Sequence, residues 1–167
     1  MRETSSAETT FTKLSDLKYE MSRLFDAPRE LVFAAYTDPQ HIPHWWGPRS
    51  VTTIVDEMDV RPGGKWRYVH RDPDGTEYGF RGEYREVLPP ERLVSTFEFE
   101  GMPGHVVVDT VTFTEENGRT RMTSKSTFET VADFEGMLAT GAEAGAIETW
   151  ERLAELLARL QQEQRGA

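Results

Sequence analysis

The apolar and polar positions of this chain change rhythm along its length. Over residues 17–25 they alternate loosely, as in a strand with one covered face. Asp26-Ala-Pro-Arg-Glu30 then reads as a helix start. Asp26 or Ala27 stands at the cap, Pro28 falls in the first turn where its missing N–H does no harm, and Leu31, Val32, Ala35 and Tyr36 supply the apolar side. Asp38-Pro39 restarts a second short helix, which Gly47-Pro48 ends. Beyond it the pattern becomes that of strands: residues 51–60, 65–71, 76–87, 92–100, 105–114 and 119–129. Turn chemistry separates them at Arg61-Pro-Gly-Gly64, Asp72-Pro-Asp-Gly75, Leu88-Pro-Pro-Glu91 and Gly101-Met-Pro-Gly104. Glu115-Glu-Asn-Gly118 ends in the Asn-Gly pair that favours a tight primed turn. The last segment shifts to helical spacing. Thr130-Val-Ala-Asp133 resembles a capping box with Asp in the place of Glu, and Met137, Leu138, Ala146, Trp150, Leu153, Leu157 and Leu160 predict one long helix over 134–160.

This order predicts an α+β fold. A curved, mostly antiparallel sheet of about seven strands wraps around the long C-terminal helix, with two short helices after strand one. Residues 1–15, rich in Ser, Thr and Glu, read as a flexible tail, and residues 16–162 as a single domain. A curled sheet gripping one helix tends to leave a cavity between them.

The helix carries the most informative feature of the chain. Gly141 and Gly145 stand four residues apart in its expected interior. Each costs about 1 kcal/mol relative to alanine there, so the face they share is expected to border either a close-packed neighbour or an empty space. The strands add aromatic groups. Trp66, Tyr68 and His70 share one strand face, and Tyr78, Phe80, Gly82 and Tyr84 share another. The opposite faces carry Lys65, Arg67, Arg71, Glu77, Arg81, Glu83 and Arg85, so the aromatic faces should turn inward. With Trp46, Phe97, Phe99, Gly141, Gly145 and Trp150 they form the candidate ligand-binding set. Buried phenol, indole and imidazole groups each need a polar partner, which fits a pocket dotted with polar atoms as well as an ordinary aromatic core.

Charge and composition narrow the partners. The net charge of −10 disfavours nucleic acid and anionic membrane surfaces. No apolar run approaches the ~18 residues needed to cross a membrane, residues 1–12 lack the apolar core of a secretory signal, and a cytoplasmic location is the default expectation. The absence of cysteine excludes disulfides, thiol nucleophiles and cysteine-ligated metals. His70 is the one candidate for acid–base work, because histidine titrates near neutral pH. A lone histidine on an inward face is, however, more often structural. His41 and His44 have the spacing to share a metal, but no third ligand accompanies them, and no metal site is expected. Glu143 and Glu148 lie near the glycine face and become candidates only if they point inward. Trp45-Trp46-Gly47-Pro48 puts two large aromatics at a helix end, either as a pocket mouth or as a clamp on the sheet. No HExxH, Gly-x-Ser-x-Gly, phosphate loop or dinucleotide fingerprint is present, which argues against the common hydrolases, kinases and dehydrogenases. No cofactor is expected.

Several motifs together resemble a known family. They are Ala27-Pro28, Asp38-Pro39, Trp45-Trp-Gly-Pro48, Asp59-Val-Arg-Pro-Gly-Gly-Lys-Trp66, Pro73-Asp-Gly75, Gly82-Glu-Tyr-Arg-Glu-Val-Leu-Pro-Pro-Glu-Arg-Leu93 and the helix pattern from Gly141 to Leu153. In this order the chain resembles the activator-of-Hsp90-ATPase-homologue-like family of the START/birch-allergen-like (SRPBCC) superfamily, over roughly residues 19–160. The resemblance implies a helix-grip fold with an internal cavity, often for apolar or aromatic ligands. The eukaryotic co-chaperone of that name carries a separate N-terminal domain that makes major contacts with the chaperone. This chain is expected to have no room for one, so stimulating an Hsp90 ATPase is not expected of it. Relatives often carry tryptophan right after the second helix glycine, where this chain has Ala146, which either enlarges the cavity or repacks it around Trp150. The expected partner is an apolar or aromatic small molecule, with a homodimer left open. The alternatives are a cofactor-independent cyclase, aromatase or hydrolase on the same scaffold, and a co-chaperone-like interaction module. Two convergent ionisable groups with shifted pKa would mark the enzyme, and an exposed apolar patch the interaction module.

Overall fold

The computed structural model describes residues 3–5 and 8–166. Its strands are β1 (Glu3–Ser5), β2 (Thr10–Lys13), β3 (Lys18–Phe25), β4 (Thr52–Met58), β5 (Lys65–Arg71), β6 (Glu77–Leu88), β7 (Arg92–Phe99), β8 (Val106–Glu116) and β9 (Arg119–Thr127). Its helices are α1 (Arg29–Thr37), α2 (Val131–Ala139) and α3 (Ala142–Gly166), with a 3-10 turn at Ile42–His44. The strands form a nine-stranded antiparallel sheet in the order β1-β2-β3-β9-β8-β7-β6-β5-β4. The chain leaves β3 through α1 and the 3-10 turn, reaches the far edge as β4, and returns by successive hairpins until β9 pairs with β3. This is the helix-grip α+β fold, with two N-terminal strands added to the seven expected.

Local chemistry explains the turns. Asn117 (φ 54°) and Gly118 (φ 82°) are both left-handed, as a primed turn between β8 and β9 requires. At the β5–β6 hairpin the Gly75 amide donates to the Asp72 carbonyl at 2.9 Å, and the Thr76 amide donates to the Asp74 carboxylate at 2.9 Å. The register shifts between Val55 and Glu57 on β4, and between Tyr84 and Glu86 on β6. Each bulge bends its strand. Each also returns an apolar residue to the concave face: Met58 and Val87 both pack on the core. The convex face is held by ion pairs, with Arg67 on Glu100 (2.7 Å), Arg71 on Glu77 (2.6 Å) and Arg81 on Glu98 (3.3 Å).

Three local expectations change. The polar stretch expected as a tail through Ser15 contains β2, because Thr10-Phe-Thr-Lys13 alternates and can add to β3. Phe11 is fully buried and stacks on Tyr19 with ring centroids 4.4 Å apart. The expected tail also includes Met1, Arg2, Ser6 and Ala7, which lie outside the described residues. The first helix starts later than expected: Pro28 itself is the cap, no side chain caps α1, and the second short helix shrinks to the 3-10 turn.

The third change matters most for the site. The long C-terminal helix is two helices. Gly141 adopts φ 78°, and its amide donates to the Leu138 carbonyl at 3.2 Å, closing α2 in the left-handed manner common at helix ends. Its cost is therefore not that of a glycine in a helix interior. Thr130 does cap α2, accepting from the Asp133 amide at 3.1 Å, but the Asp133 carboxylate goes to His105 Nδ1 at 2.8 Å.

Candidate functional site

A cavity of about 530 Å³ lies between the concave face of the sheet and the α2–α3 pair. Met137 of α2 and Ala142, Gly145, Ala146, Thr149 and Trp150 of α3 face it from the helix side. Nothing lies within 4 Å of where a Gly145 Cβ would stand. Ala146 lines the cavity, so the small residue at that position adds to the space.

One end of the cavity is aromatic. Trp46 is its hub, with ring centroids 4.9 Å from Tyr68, 5.0 Å from His70, 5.5 Å from Phe80 and 6.1 Å from Trp66. Phe97 completes the group, 5.6 Å from Phe80. Trp66 lies across Gly82, its partner on β6, and its indole N–H donates to the Thr96 carbonyl on β7 at 3.2 Å. A Cβ on Gly82 would collide with that carbonyl and ring, so glycine is needed for the close approach. The two adjacent tryptophans divide the roles left open above. Trp45 is buried, donates to the Ala35 carbonyl at 2.9 Å and packs on Tyr36, which clamps α1. Trp46 packs directly against its aromatic neighbours and borders the cavity with them.

Arg152 of α3 holds this segment in place. Its guanidinium donates to the Gly47 carbonyl (2.6 Å), the Pro48 carbonyl (3.2 Å) and the His44 carbonyl (3.2 Å). Gly47, at φ 95°, rests against the His70 ring, where a Cβ would come within 2.5 Å of Nε2. His70 is buried, and no protein group pairs with its Nε2. Burial pulls its pKa down to about 4; Asp72 opposes this and the Arg152 charge reinforces it. His70 is therefore neutral near pH 7 and a weak base.

The middle of the sheet carries a different feature. Tyr19 on β3 is opposite Ser126 on β9, Ser126 is opposite Asp109 on β8, Asp109 is opposite Ser95 on β7, and Ser95 is opposite Tyr84 on β6. This one rung across five strands places all its side chains on the cavity. Ser126 Oγ donates to Asp109 Oδ1 at 2.5 Å. Burial pushes the Asp109 carboxyl up to about 6, against the pull of that hydrogen bond. Asp109 is only half-buried by area, but it lines the cavity, so the surface it keeps is cavity wall rather than bulk interface. Tyr19 is raised by burial and then by the Asp109 charge, while its hydrogen bond with Ser126 works the other way. Burial likewise pushes Tyr84 up to about 12. Above the rung, the Trp150 indole donates to the Tyr36 hydroxyl at 3.2 Å.

Of the residues singled out in the sequence, Trp46, Trp66, Tyr68, His70, Phe80, Tyr84, Phe97, Gly145 and Trp150 lie together on the cavity wall. Tyr78, Phe99 and Gly141 do not. Tyr78 sits at the start of β6, 38% exposed, with Phe99 beside it (6.5 Å between centroids). Both lie on the strand face anticipated for them, beyond the stretch that faces the helices. Gly141 faces open space at the helix junction. Neither Glu143 nor Glu148 lines the cavity, and Glu148 accepts from the Arg49 amide at 3.3 Å. Asp109 was missed, although it stands in register with Val107, Val111 and Phe113, all inward on β8. The run Val106-Val-Val108 hides that alternation. Among the described residues no cluster of three or more His, Asp or Glu could hold a metal ion, and no helix is long and apolar enough to cross a membrane.

Residues 26–158 match the family model described as Activator of Hsp90 ATPase homolog 1-like protein. The chain belongs to this family. Among solved structures, a protein from Arthrobacter aurescens is similar at 27% identity and TM-score 0.85, covering 93% of each chain. A protein from Mycobacterium smegmatis has 28% identity and TM-score 0.79, over 93% of this chain and 97% of its own. A Staphylococcus epidermidis protein has 28% identity and TM-score 0.76, over 89% and 93%. A search among curated proteins returned no match. In this member of the Activator of Hsp90 ATPase homolog 1-like family, the aromatic cluster, His70 and Asp109 all line the cavity.

Proposed function

We propose that the chain binds an apolar or aromatic small molecule in the cavity between the sheet and α2–α3, as a carrier, sensor or sequestering protein. The observation that carries this reading is the unfilled volume of about 530 Å³ walled by Trp46, Trp66, Tyr68, Phe80 and Phe97, which falls in the usual size range of small-molecule sites. The family description refers to an Hsp90 ATPase activator; that activity is a property of the relative, and Trp46, Trp66, Tyr68, Phe80 and Phe97 of this chain line the cavity.

The ionisable groups favour binding over catalysis. His70 and Asp109 both have shifted proton affinities, but they do not converge. His70 pairs with Tyr78 on β6, whereas the rung of Asp109 crosses β6 at Tyr84. Those rows are about 20 Å apart along the strand, and neither group contributes to the shift of the other. Two separate polar points orient a ligand better than they share a proton.

The test is fluorescence titration with N-phenylnaphthylamine, a neutral aromatic probe, together with native mass spectrometry of freshly purified protein. Saturable enhancement at one site per chain, or a co-purifying small molecule, is expected. A probe signal no greater than that of a cavity-free protein, with no bound mass, would overturn the reading.

A further inference from the structure

The rung formed by Tyr19, Ser126, Asp109, Ser95 and Tyr84 says more about the ligand than its hydrophobicity. All five side chains end in oxygen. Four are hydroxyls, which can accept as well as donate, and the fifth is a carboxyl. No Lys, Arg, Asn or Gln side chain is among the residues lining the cavity. Among the described residues a single donor, Ser126, reaches the Asp109 carboxylate, and no protein cation contributes to its proton affinity. A carboxylate taken out of water normally has a counter-charge or several donors. Here the open side of the group is the cavity itself, so whatever occupies the cavity completes its partners.

We propose that the cavity selects ligands carrying a protonated amine, which sits on this rung with the Asp109 carboxylate as its counter-charge while an aromatic body lies against Trp46, Trp66 and Phe80. The proposal rests on the reading that the cavity takes an apolar or aromatic small molecule and names the chemical class. An ammonium group brings three donors and no acceptor, which matches a wall of acceptor oxygens. An anionic ligand would face the carboxylate and is disfavoured. Phe80 and Tyr84 are four residues apart on β6, about 13 Å of strand. The net charge of −10 adds a long-range field that attracts cations.

The experiment displaces N-phenylnaphthylamine with two near-isosteres, naphthylmethylamine and naphthylmethanol, near neutral pH and at ~150 mM salt, where general surface attraction is screened. The amine is expected to compete at least ~10-fold more strongly than the alcohol, as suits a charge-assisted hydrogen bond. Asp109→Asn should erase that preference, with the amine-to-alcohol ratio read against the variant's own probe affinity, while changing the net charge by only one unit. Equal competition by amine and alcohol in the wild type, or a preference that survives in Asp109→Asn, overturns the proposal. If that variant no longer binds the probe, the wild-type ratio measured again at about pH 5 takes its place. There Asp109 gains a proton while Tyr19 and Tyr84 stay neutral, so the preference must shrink; an unchanged ratio overturns the proposal. Failure of the probe itself to bind the wild type would instead overturn the parent reading.

Discussion

The two ends of α3 face the same concave sheet and do opposite things. From Trp150 onward the helix is packed solid: Trp150, Leu153, Leu156 and Leu157 are 4%, 0%, 2% and 2% exposed. Trp150 stands edge-on to Phe25 with centroids 6.0 Å apart. One or two turns earlier, Ala142, Gly145, Ala146 and Thr149 present small side chains, and the helix stands over empty space. The close backbone approaches of α3 are to α1, α2 and the 3-10 turn. Anchored on the core by its second half and joined to the docked α2 at its start, α3 carries its first turns over the sheet. The void persists because of what the helix lacks at its inward positions, and the rigid half keeps it from collapsing.

This contrast should show first in stability. Leu153 is fully enclosed, so Leu153→Ala is expected to cost about 2–5 kcal/mol, the usual range for a buried leucine whose site cannot close. Urea denaturation measures it. A cost under about 1 kcal/mol would mean that the anchored half is no better packed than the hollow one.

Next in size is a pair of proton-linked effects of opposite sign. His70 is held neutral, with its pKa lowered to about 4 from 6.5. Between those values the unfolded chain binds more protons, so this group makes stability fall as pH drops from about 6.5 to about 4. Asp109 is raised to about 6 from 3.8. Between those values the folded chain binds more protons, so this group makes stability rise as pH drops through about 6. In the wild type the two largely cancel between about pH 4 and 6. Asp109→Asn removes one side of the balance: the variant should be more stable than wild type near pH 7 and lose stability more steeply on acidification. Thermal melts across that range test it, and parallel curves for the two proteins would show that the Asp109 environment is not as dry as its place in the cavity implies.

Much of the sheet was legible because strand faces follow a period of two. Lys65–Arg71 was anticipated with its bounds, and Trp66, Tyr68 and His70 do face inward. Alternation gives the face, though, and not how far along the strand the covering helices reach. Tyr78 and Phe99 therefore share the correct face and miss the cavity. The left-handed Gly141 was misread because residues on both sides of it have helical composition, and a glycine in such a run is consistent with an interior position as well as a helix end. Asp109 could have been found. An acid at the centre of an apolar alternation, Val107, Asp109, Val111, Phe113, is a local conflict that a cavity resolves. The serines of the rung carried no such signal, since serine is common on either face of a strand.

A smaller effect is expected at the latch between the two regions. Arg152 lies on the solid half of α3 but grips the backbone that presents Trp46 and Gly47 to the hollow half. Arg152→Ala should cost about 1.5 kcal/mol, the low end for hydrogen bonds to charged groups, as suits a partly exposed site. It should also weaken N-phenylnaphthylamine several-fold, because the 44–48 segment loses its register over His70. Lost stability with unchanged probe affinity would confine the latch to folding.

The smallest stability change is expected where the contrast is sharpest. Gly145 is helical, with open space where its side chain would begin. Gly145→Ala should therefore gain up to about 1 kcal/mol from helix propensity alone and leave probe binding intact. Gly145→Leu places a branched side chain in the same opening. If the void is real and preformed, the leucine folds into it without loss of stability and N-phenylnaphthylamine affinity drops at least ~10-fold, since ligand and side chain compete for one space. If the helix instead settles onto the sheet in solution, the leucine has nowhere to go, and overpacking costs about 1–3 kcal/mol. The sign of the Gly145→Leu stability change thus separates a hollow end from a collapsed one, and the probe affinity of the same variant shows whether that hollow is the one a ligand uses.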